Sequence, residues 1–120
     1  MSEPVVKTIL VADEDPIIRL LASHVLTRHN FSVDVAASKS ELDEQLEQHD
    51  YDGILLDVRL LDAAEEWVRA LAERRPVVAA RLVLMSAGGL NDSWPVHATL
   101  RKPLELDALV ETIRSASTRR

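Results

Sequence analysis

Apolar residues occur in two patterns that alternate along this chain. Short runs rich in β-branched residues predict strands at residues 5–12, 31–37, 53–57, 80–89 and 96–101, of which the last is short and weak. Longer stretches with apolar residues every three or four positions predict helices at residues 16 to about 29, 38 through 46, 62 to 75 and 106 through 113. This alternation predicts one parallel sheet with right-handed crossovers and helices on both faces.

Individual residues mark where the predicted helices begin. Pro16 suits the first turn of the first helix, and Ser38 with Glu41 three positions later forms a capping box. Asp62 is predicted to cap the third helix. Between Ser86 and Lys102 the chain is rich in Gly, Asn, Asp, Ser and Pro. We expect a loop or at most one helical turn there, in place of the helix that would complete the alternation.

Composition limits the classes of protein to which this chain can belong. Its 120 residues suffice for one domain, so residues 1–120 are interpreted as a single unit. The formal net charge is −6 and the basic residues form no extended patch, which argues against a nucleic-acid partner. The absence of cysteine excludes disulfides, thiolate metal sites and cysteine nucleophiles. The N-terminal apolar run is too short and too charged for a signal peptide or membrane span, so we expect a cytoplasmic protein without a membrane partner.

Polar side chains stand at the carboxyl ends of four predicted strands. They are Asp13 and Glu14 after the first strand, Asp57 after the third, Ser86 after the fourth and Lys102 after the fifth. Ligands of open α/β sheets bind at this edge. Carboxylates gathered there repel one another unless a cation neutralises them, and an all-oxygen set with room for water suits Mg²⁺. The sequence therefore predicts a magnesium site at this edge.

The same residues predict chemistry on phosphate. The Ser86 hydroxyl, the Lys102 ammonium and the metal can each hold one oxygen of a phosphoryl group. The metal and Lys102 also offset the repulsion that keeps a carboxylate away from phosphate. We therefore predict that Asp57 acts as a nucleophile and accepts a phosphoryl group.

Four short motifs in order resemble those of the receiver domains of two-component response regulators, over essentially the whole chain. They are LVADEDP at residues 10–16, GILLDVRL at 53–60, VLMSA at 83–87 and LRKPL at 100–104. The resemblance implies a flavodoxin-like α/β fold with a doubly wound five-stranded parallel sheet of order 2-1-3-4-5.

The resemblance also implies roles for single residues and partners. Asp57 is the phosphoacceptor, and the backbone carbonyl of Arg59 joins Asp13, Glu14 and Asp57 in holding Mg²⁺. A histidine kinase or histidine phosphotransfer protein supplies the phosphoryl group. The output is a contact with a protein, or a further relay of the phosphoryl group, and the sequence does not identify that downstream partner.

Three features depart from the family pattern. Residues 59–67 lack the Pro and Gly that usually follow the phosphoacceptor. Thr99 stands three positions before Lys102, where the family has its switch aromatic, and helix four is eroded, as in some single-domain receivers. Ser86 and Thr99 are the expected switch positions. Because Thr99 has no ring, we expect the response to phosphorylation in the glycine-led segment 88–99.

Several of these residues also have an ordinary structural interpretation. Asp13 and Glu14 can serve as favourable charges at a helix N-terminus, and Ser86 can serve as a turn residue. Their occurrence together with Asp57 and Lys102 favours a site, because a purely structural sheet needs no polar residues at four strand ends.

Four large apolar residues are candidates for packing or for partner contacts. Trp67 lies on a predicted core stripe, which favours packing, whereas Trp94 lies in a loop-like segment and is a candidate partner contact. Ile17 and Leu20 widen the apolar face of the first helix. They form either the edge of the core or a docking surface.

Three functions of different class fit these residues. The first is a phosphoacceptor signalling domain standing alone, which is not an enzyme beyond self-phosphorylation from small donors and slow self-dephosphorylation. The second is a pseudo-receiver that keeps the fold but is not switched by phosphate, which the missing aromatic favours. The third is a small aspartyl phosphatase using Asp13 and Asp15, which leaves Asp57 without a role.

Overall fold

A parallel sheet forms the centre of the computed structural model, which describes residues 6–88, 90 and 93–118. Within these residues the strands are β1 Thr8–Ala12, β2 Ser32–Ala36, β3 Gly53–Asp57, β4 Leu82–Ser86 and β5 Ala98–Arg101. The helices are α1 Pro16–Arg28, α2 Lys39–Gln48, α3 Ala64–Arg74, α4 Pro76–Ala79 and α5 Leu106–Ser117. All neighbouring strands are parallel and their order is β2-β1-β3-β4-β5. The predicted fold class and strand order are confirmed.

The strands are covered on both faces, as their continuous apolar runs predict. Alternate strand residues point to opposite faces, and each face has its own core. Helices α1 and α5 cover one core, whose strand residues include Ile9, Val11, Leu55, Val83 and Met85. Helices α2, α3 and α4 cover the other, whose strand residues include Leu10, Ile54, Leu56, Leu82 and Leu84. The sheet is therefore held from both sides, which positions the polar residues at its carboxyl edge.

Side chains cap the first two helices. The Asp15 carboxylate accepts a hydrogen bond from the Ile17 N–H at 2.9 Å at the start of α1. At the start of α2 the Ser38 hydroxyl accepts from the Glu41 N–H at 3.1 Å, and the Glu41 carboxylate accepts from the Ala37 N–H at 2.8 Å. The predicted pairing of Ser38 with Glu41 is confirmed, with Glu41 reaching the residue before the cap.

The predicted cap of the third helix is wrong. Helix α3 follows Ala63, which offers no side-chain hydrogen bond, and Asp62 lies outside the helix. A 3₁₀ turn at Val58–Leu60 comes directly after β3 and is capped by Asp57. Because this turn occupies the residues immediately after the strand, the α-helix begins only after the turn. Glu65 and Glu66 in the first turn of α3 supply the negative charge that a helix N-terminus favours.

The chain on either side of β4 departs from simple alternation. Helix α4 was not predicted; Pro76 starts it, because proline needs no N–H partner in a first turn. Between β4 and β5, residues 93–97 contain no helix, which agrees with the predicted loop, and residues 89, 91 and 92 lie outside the described part. Among the described residues, no helix combines the length and the apolar character that crossing a membrane requires.

Candidate functional site

Asp13 and Asp57 lie side by side at the carboxyl edge of the sheet. Strands β1 and β3 are neighbours, and Ala12 is in register with Leu56, so the residue after each stands at the same level. Both aspartates are fully buried. Two carboxylates in such a position repel each other and lose hydration, so the site requires positive charge.

Lys102 supplies that charge. It follows β5, and its backbone N–H donates to the Ser86 carbonyl at 2.9 Å. Its ammonium nitrogen lies 2.8 Å from Asp57 Oδ2 and 2.9 Å from Asp13 Oδ2, so one cation bridges both carboxylates. The Lys102 side chain is 12% exposed, whereas neither aspartate side chain is exposed at all. Three of the predicted site residues are thus brought together by direct contact.

Asp57 also receives hydrogen bonds from Arg59. Its Oδ1 accepts from the Arg59 backbone N–H at 3.0 Å. Its Oδ2 accepts from Arg59 Nε at 3.4 Å and Nη2 at 3.3 Å. The sequence reasoning assigned a role only to the Arg59 carbonyl. A basic residue two positions after a strand-end acid is the signal that points to its side chain.

The hydrogen bonds keep the site ionised. Burial by itself raises the pKa of Asp57, but hydrogen bonds from Lys102 and from Arg59 outweigh it and hold the pKa below its ordinary 3.8. Burial by itself lowers the pKa of Lys102, but hydrogen bonds to Asp57 and Asp13 raise it above its ordinary 10.5. At neutral pH, Asp57 is therefore a carboxylate and Lys102 an ammonium ion.

Glu14 lies at the exposed margin of the site. The pKa of Arg59 is raised first by its hydrogen bond to Asp57, then by the charge of Asp57, and to a smaller extent by Asp13 and Glu14. The charge of Glu14 therefore acts on the same space as the two buried aspartates. The backbone carbonyl of Asp13 accepts from Arg19 Nη1 at 2.7 Å, which ties α1 to this edge.

The donor set suits Mg²⁺ held by few protein ligands. In the described part of the chain, no group of three or more His, Asp or Glu side chains is placed to hold a metal ion. Mg²⁺ commonly uses one or two carboxylates and keeps several waters, so the buried pair Asp13 and Asp57 is a sufficient acidic core. The Lys102 ammonium between them marks a place that favours positive charge. The residues present therefore fit the ion, and the predicted ligand set stays a prediction.

Ser86 and Thr99 border one cavity. Ser86 is buried at the end of β4, and its hydroxyl accepts from the Gly88 N–H at 3.2 Å. Thr99 lies half-buried on β5, where it is in register with Leu84. Both side chains line a cavity of about 210 Å³, together with Gly88 and Leu90. The two expected switch positions thus line the same cavity, and their role in a switch stays a prediction.

The four large apolar residues divide into packed and exposed pairs. Trp67 packs against the core beneath α2 and α3, and its indole N–H donates to Asp43 at 3.4 Å, which confirms the packing interpretation. Trp94 also packs, half-buried, against this core. Ile17 is 71% exposed and Leu20 is 72% exposed, which excludes the edge of the core, one of the two alternatives left open for them.

Known proteins with similar sequences and structures converge on one description. Residues 9–87 match the family model of the response regulator receiver domain. The transcriptional regulatory protein TcrA of Mycobacterium tuberculosis is 30% identical over 118 residues, which cover 92% of this chain and 46% of TcrA, so the chain spans about half the length of this relative.

Two solved structures illustrate the likeness in fold. The response regulator TrrA of Thermotoga maritima, in complex with Mg²⁺-BeF, has a TM-score of 0.79 and 23% identity, covering 92% of this chain and 98% of TrrA. A sensor protein from a Polaromonas species has a TM-score of 0.80 and 26% identity, covering 93% of this chain and 96% of that one.

Proposed function

The chain belongs to the response regulator receiver domain family of two-component systems, and from that premise we propose that it accepts a phosphoryl group on Asp57. The observation that carries this proposal is the pair of buried carboxylates, Asp13 and Asp57, bridged by the Lys102 ammonium at the carboxyl edge of the sheet. Buried ion pairs contribute little to stability, because replacing them by apolar residues is often neutral or stabilising. The presence of this arrangement therefore points to a functional task.

The residues of the site have distinct parts in the transfer. An oxygen of the Asp57 carboxylate attacks phosphorus, the phosphorus–nitrogen bond of a phosphohistidine breaks, and the electron pair stays on the imidazole nitrogen. Lys102 holds one phosphoryl oxygen, and the Ser86 hydroxyl turns from Gly88 to donate to another.

Magnesium belongs to this proposal. Bound by Asp13, Glu14, Asp57 and the carbonyl of Arg59, Mg²⁺ supplies positive charge where the carboxylate and the phosphate meet. The complex of TrrA with Mg²⁺-BeF supports this part, because TrrA has the same fold.

The proposed partners follow from the chemistry. The donor is a histidine kinase or a histidine phosphotransfer protein, and the output is a contact with another protein. The net charge of −6 argues against nucleic acid as a partner, and we place the protein in the cytoplasm without a membrane partner. It acts as a stoichiometric acceptor and not as an enzyme on a separate substrate.

Intact-mass measurement after incubation with acetyl phosphate and Mg²⁺ tests the proposed function. We expect one phosphoryl group per chain, and none when the metal is removed with a chelator. A protein that stays unlabelled would be a pseudo-receiver, the alternative favoured by the ring-free Thr99 beside an open cavity. Continuous release of phosphate from a generic phosphate ester would instead indicate an aspartyl phosphatase.

Phosphorylation is expected to change amide hydrogen exchange mainly in residues 88–99. The Gly88 N–H loses its acceptor when the Ser86 hydroxyl turns toward the phosphoryl group. Thr99 has no ring that could hold residues 88–99 in place after this change. Exchange measured with and without a beryllofluoride mimic checks this, with α2 as the internal reference that stays unchanged. Unaltered protection of residues 88–99 while the mimic is bound would show that the signal leaves by another route.

A further inference from the structure

The guanidinium of Arg59 contacts Asp57, and the proposed transfer gives this side-chain contact no part. Both Nε and Nη2 point at a single atom, Asp57 Oδ2, at 3.4 and 3.3 Å. The same oxygen accepts from Lys102 at 2.8 Å. A carboxylate oxygen has two lone pairs, so these donors occupy the acceptor capacity of Oδ2.

Of the two cations, Arg59 is the one that can leave. Its side chain is 55% exposed, its bonds to Asp57 are long, and Asp57 is the carboxylate that it contacts. Lys102 is 12% exposed, its bonds are short, and it is anchored on Asp13 as well as Asp57. Removing Lys102 would strip the buried acids of their bridge, whereas Arg59 can turn into water at little cost.

The charges of the site give this movement a consequence. With both cations in contact, Asp13 and Asp57 are neutralised by Lys102 and Arg59. When Arg59 turns away, the buried side chains keep one net negative charge, which attracts a divalent cation. The guanidinium therefore competes with a metal ion for the same carboxylate.

We propose that the Arg59 side chain is the displaceable counter-cation of Asp57, which neutralises the site when it holds no metal and weakens the binding of Mg²⁺. This inference rests on the magnesium site of the proposed function. It concerns only the side chain, so the backbone carbonyl of Arg59 remains in place in any variant of that residue.

A Mg²⁺ titration followed by backbone amide NMR tests the inference without any phosphorylation. We expect Arg59→Gln to bind Mg²⁺ about fivefold more tightly than wild type at low ionic strength, because one competing charge is gone. Arg59→Lys keeps the charge and is expected to restore an affinity close to wild type. The difference should shrink by more than half in about 1 M KCl, since salt screens an exposed charge.

Arg69→Gln is the matched control. Arg69 pairs with Glu65 at 3.0 Å on α3 and is 47% exposed, so this variant loses the same charge from a comparable surface pair. Equal tightening by Arg69→Gln would trace the effect to net charge and overturn the inference. Arg59→Gln that binds no more tightly than wild type would overturn it while leaving the proposed function intact. If Mg²⁺ shifts no amide resonance in any variant, the magnesium site is absent, and both the inference and the proposed function that includes this site are overturned.

Discussion

An Asp57→Asn variant is expected to take up no phosphoryl group under conditions that label the wild-type protein to completion. The amide has nearly the size of the carboxylate, and its oxygen can still accept from Lys102 and Arg59, so the fold should persist. It lacks the negative charge that makes the carboxylate a nucleophile. Intact-mass measurement with acetyl phosphate and Mg²⁺ checks this outcome.

Asp62→Asn is the control for that experiment. Asp62 lies five positions beyond the site on the exposed side of the chain, and this variant makes the same chemical change away from the acidic pair. It should be labelled like wild type. Labelling that survives in Asp57→Asn, with the modified peptide mapped elsewhere, would contradict the assignment of the phosphoacceptor.

A Lys102→Met variant is expected to lose about 3 kcal/mol or more of unfolding free energy at neutral pH. Methionine has a similar length but leaves Asp13 and Asp57 buried side by side without their bridge. Uncompensated buried charge is among the most costly changes a core can suffer. Urea unfolding of both proteins measures the difference.

The pH dependence of that difference has a definite sign. In the wild-type protein the pKa of Asp57 is lowered below 3.8 and that of Lys102 is raised above 10.5. The stabilisation that the Asp57–Lys102 ion pair gives to the wild-type protein is therefore fully present from about pH 4 to about pH 10. It is lost as the pH falls through the folded-state pKa of Asp57 or rises through that of Lys102.

In Lys102→Met, Asp13 and Asp57 stay buried side by side, and Asp57 keeps the burial that raises its pKa while it loses the ammonium that lowers it. Protonation then relieves their repulsion, so the gap in unfolding free energy from wild type should narrow as the pH falls from about 7 to about 4.5. Lys39→Met removes an exposed ion pair with Asp43 and should change the unfolding free energy by less than about 1 kcal/mol at either pH. A gap for Lys102→Met that does not change with pH would refute this explanation.

The local elements of this protein were predictable because their signals are local. The apolar run at residues 53–57 is long enough for one strand and coincides with β3. Ser38 and Glu41 specify the start of α2 through hydrogen bonds that span four residues of chain. The wrong start of α3 shows the limit of such signals, because Asp62 has the chemistry of a cap but the turn capped by Asp57 comes first.

The edge at which the site forms was also determined by the sequence alone. Alternating strands and helices require a parallel sheet, and parallel strands bring their carboxyl ends to one edge. The sequence therefore predicts that Asp13 and Asp57 lie together. The same reasoning did not decide the surroundings of Ile17 and Leu20. An apolar position on a helix is buried only if another element covers it, and no element in the described part of the chain covers these two.

Only the tertiary structure decided how the charges of the site are paired. Lys102 contacts Asp57 across 45 positions of the chain and Asp13 across 89. Which carboxylates the ammonium reaches depends on where two strand ends and one loop lie in space. Arg59 was close in sequence to Asp57, yet its backbone and its side chain each bind a different carboxylate oxygen. Sequence spacing shows which groups can reach a carboxylate. Which of them hold it depends on burial and on competition among all donors at the folded edge.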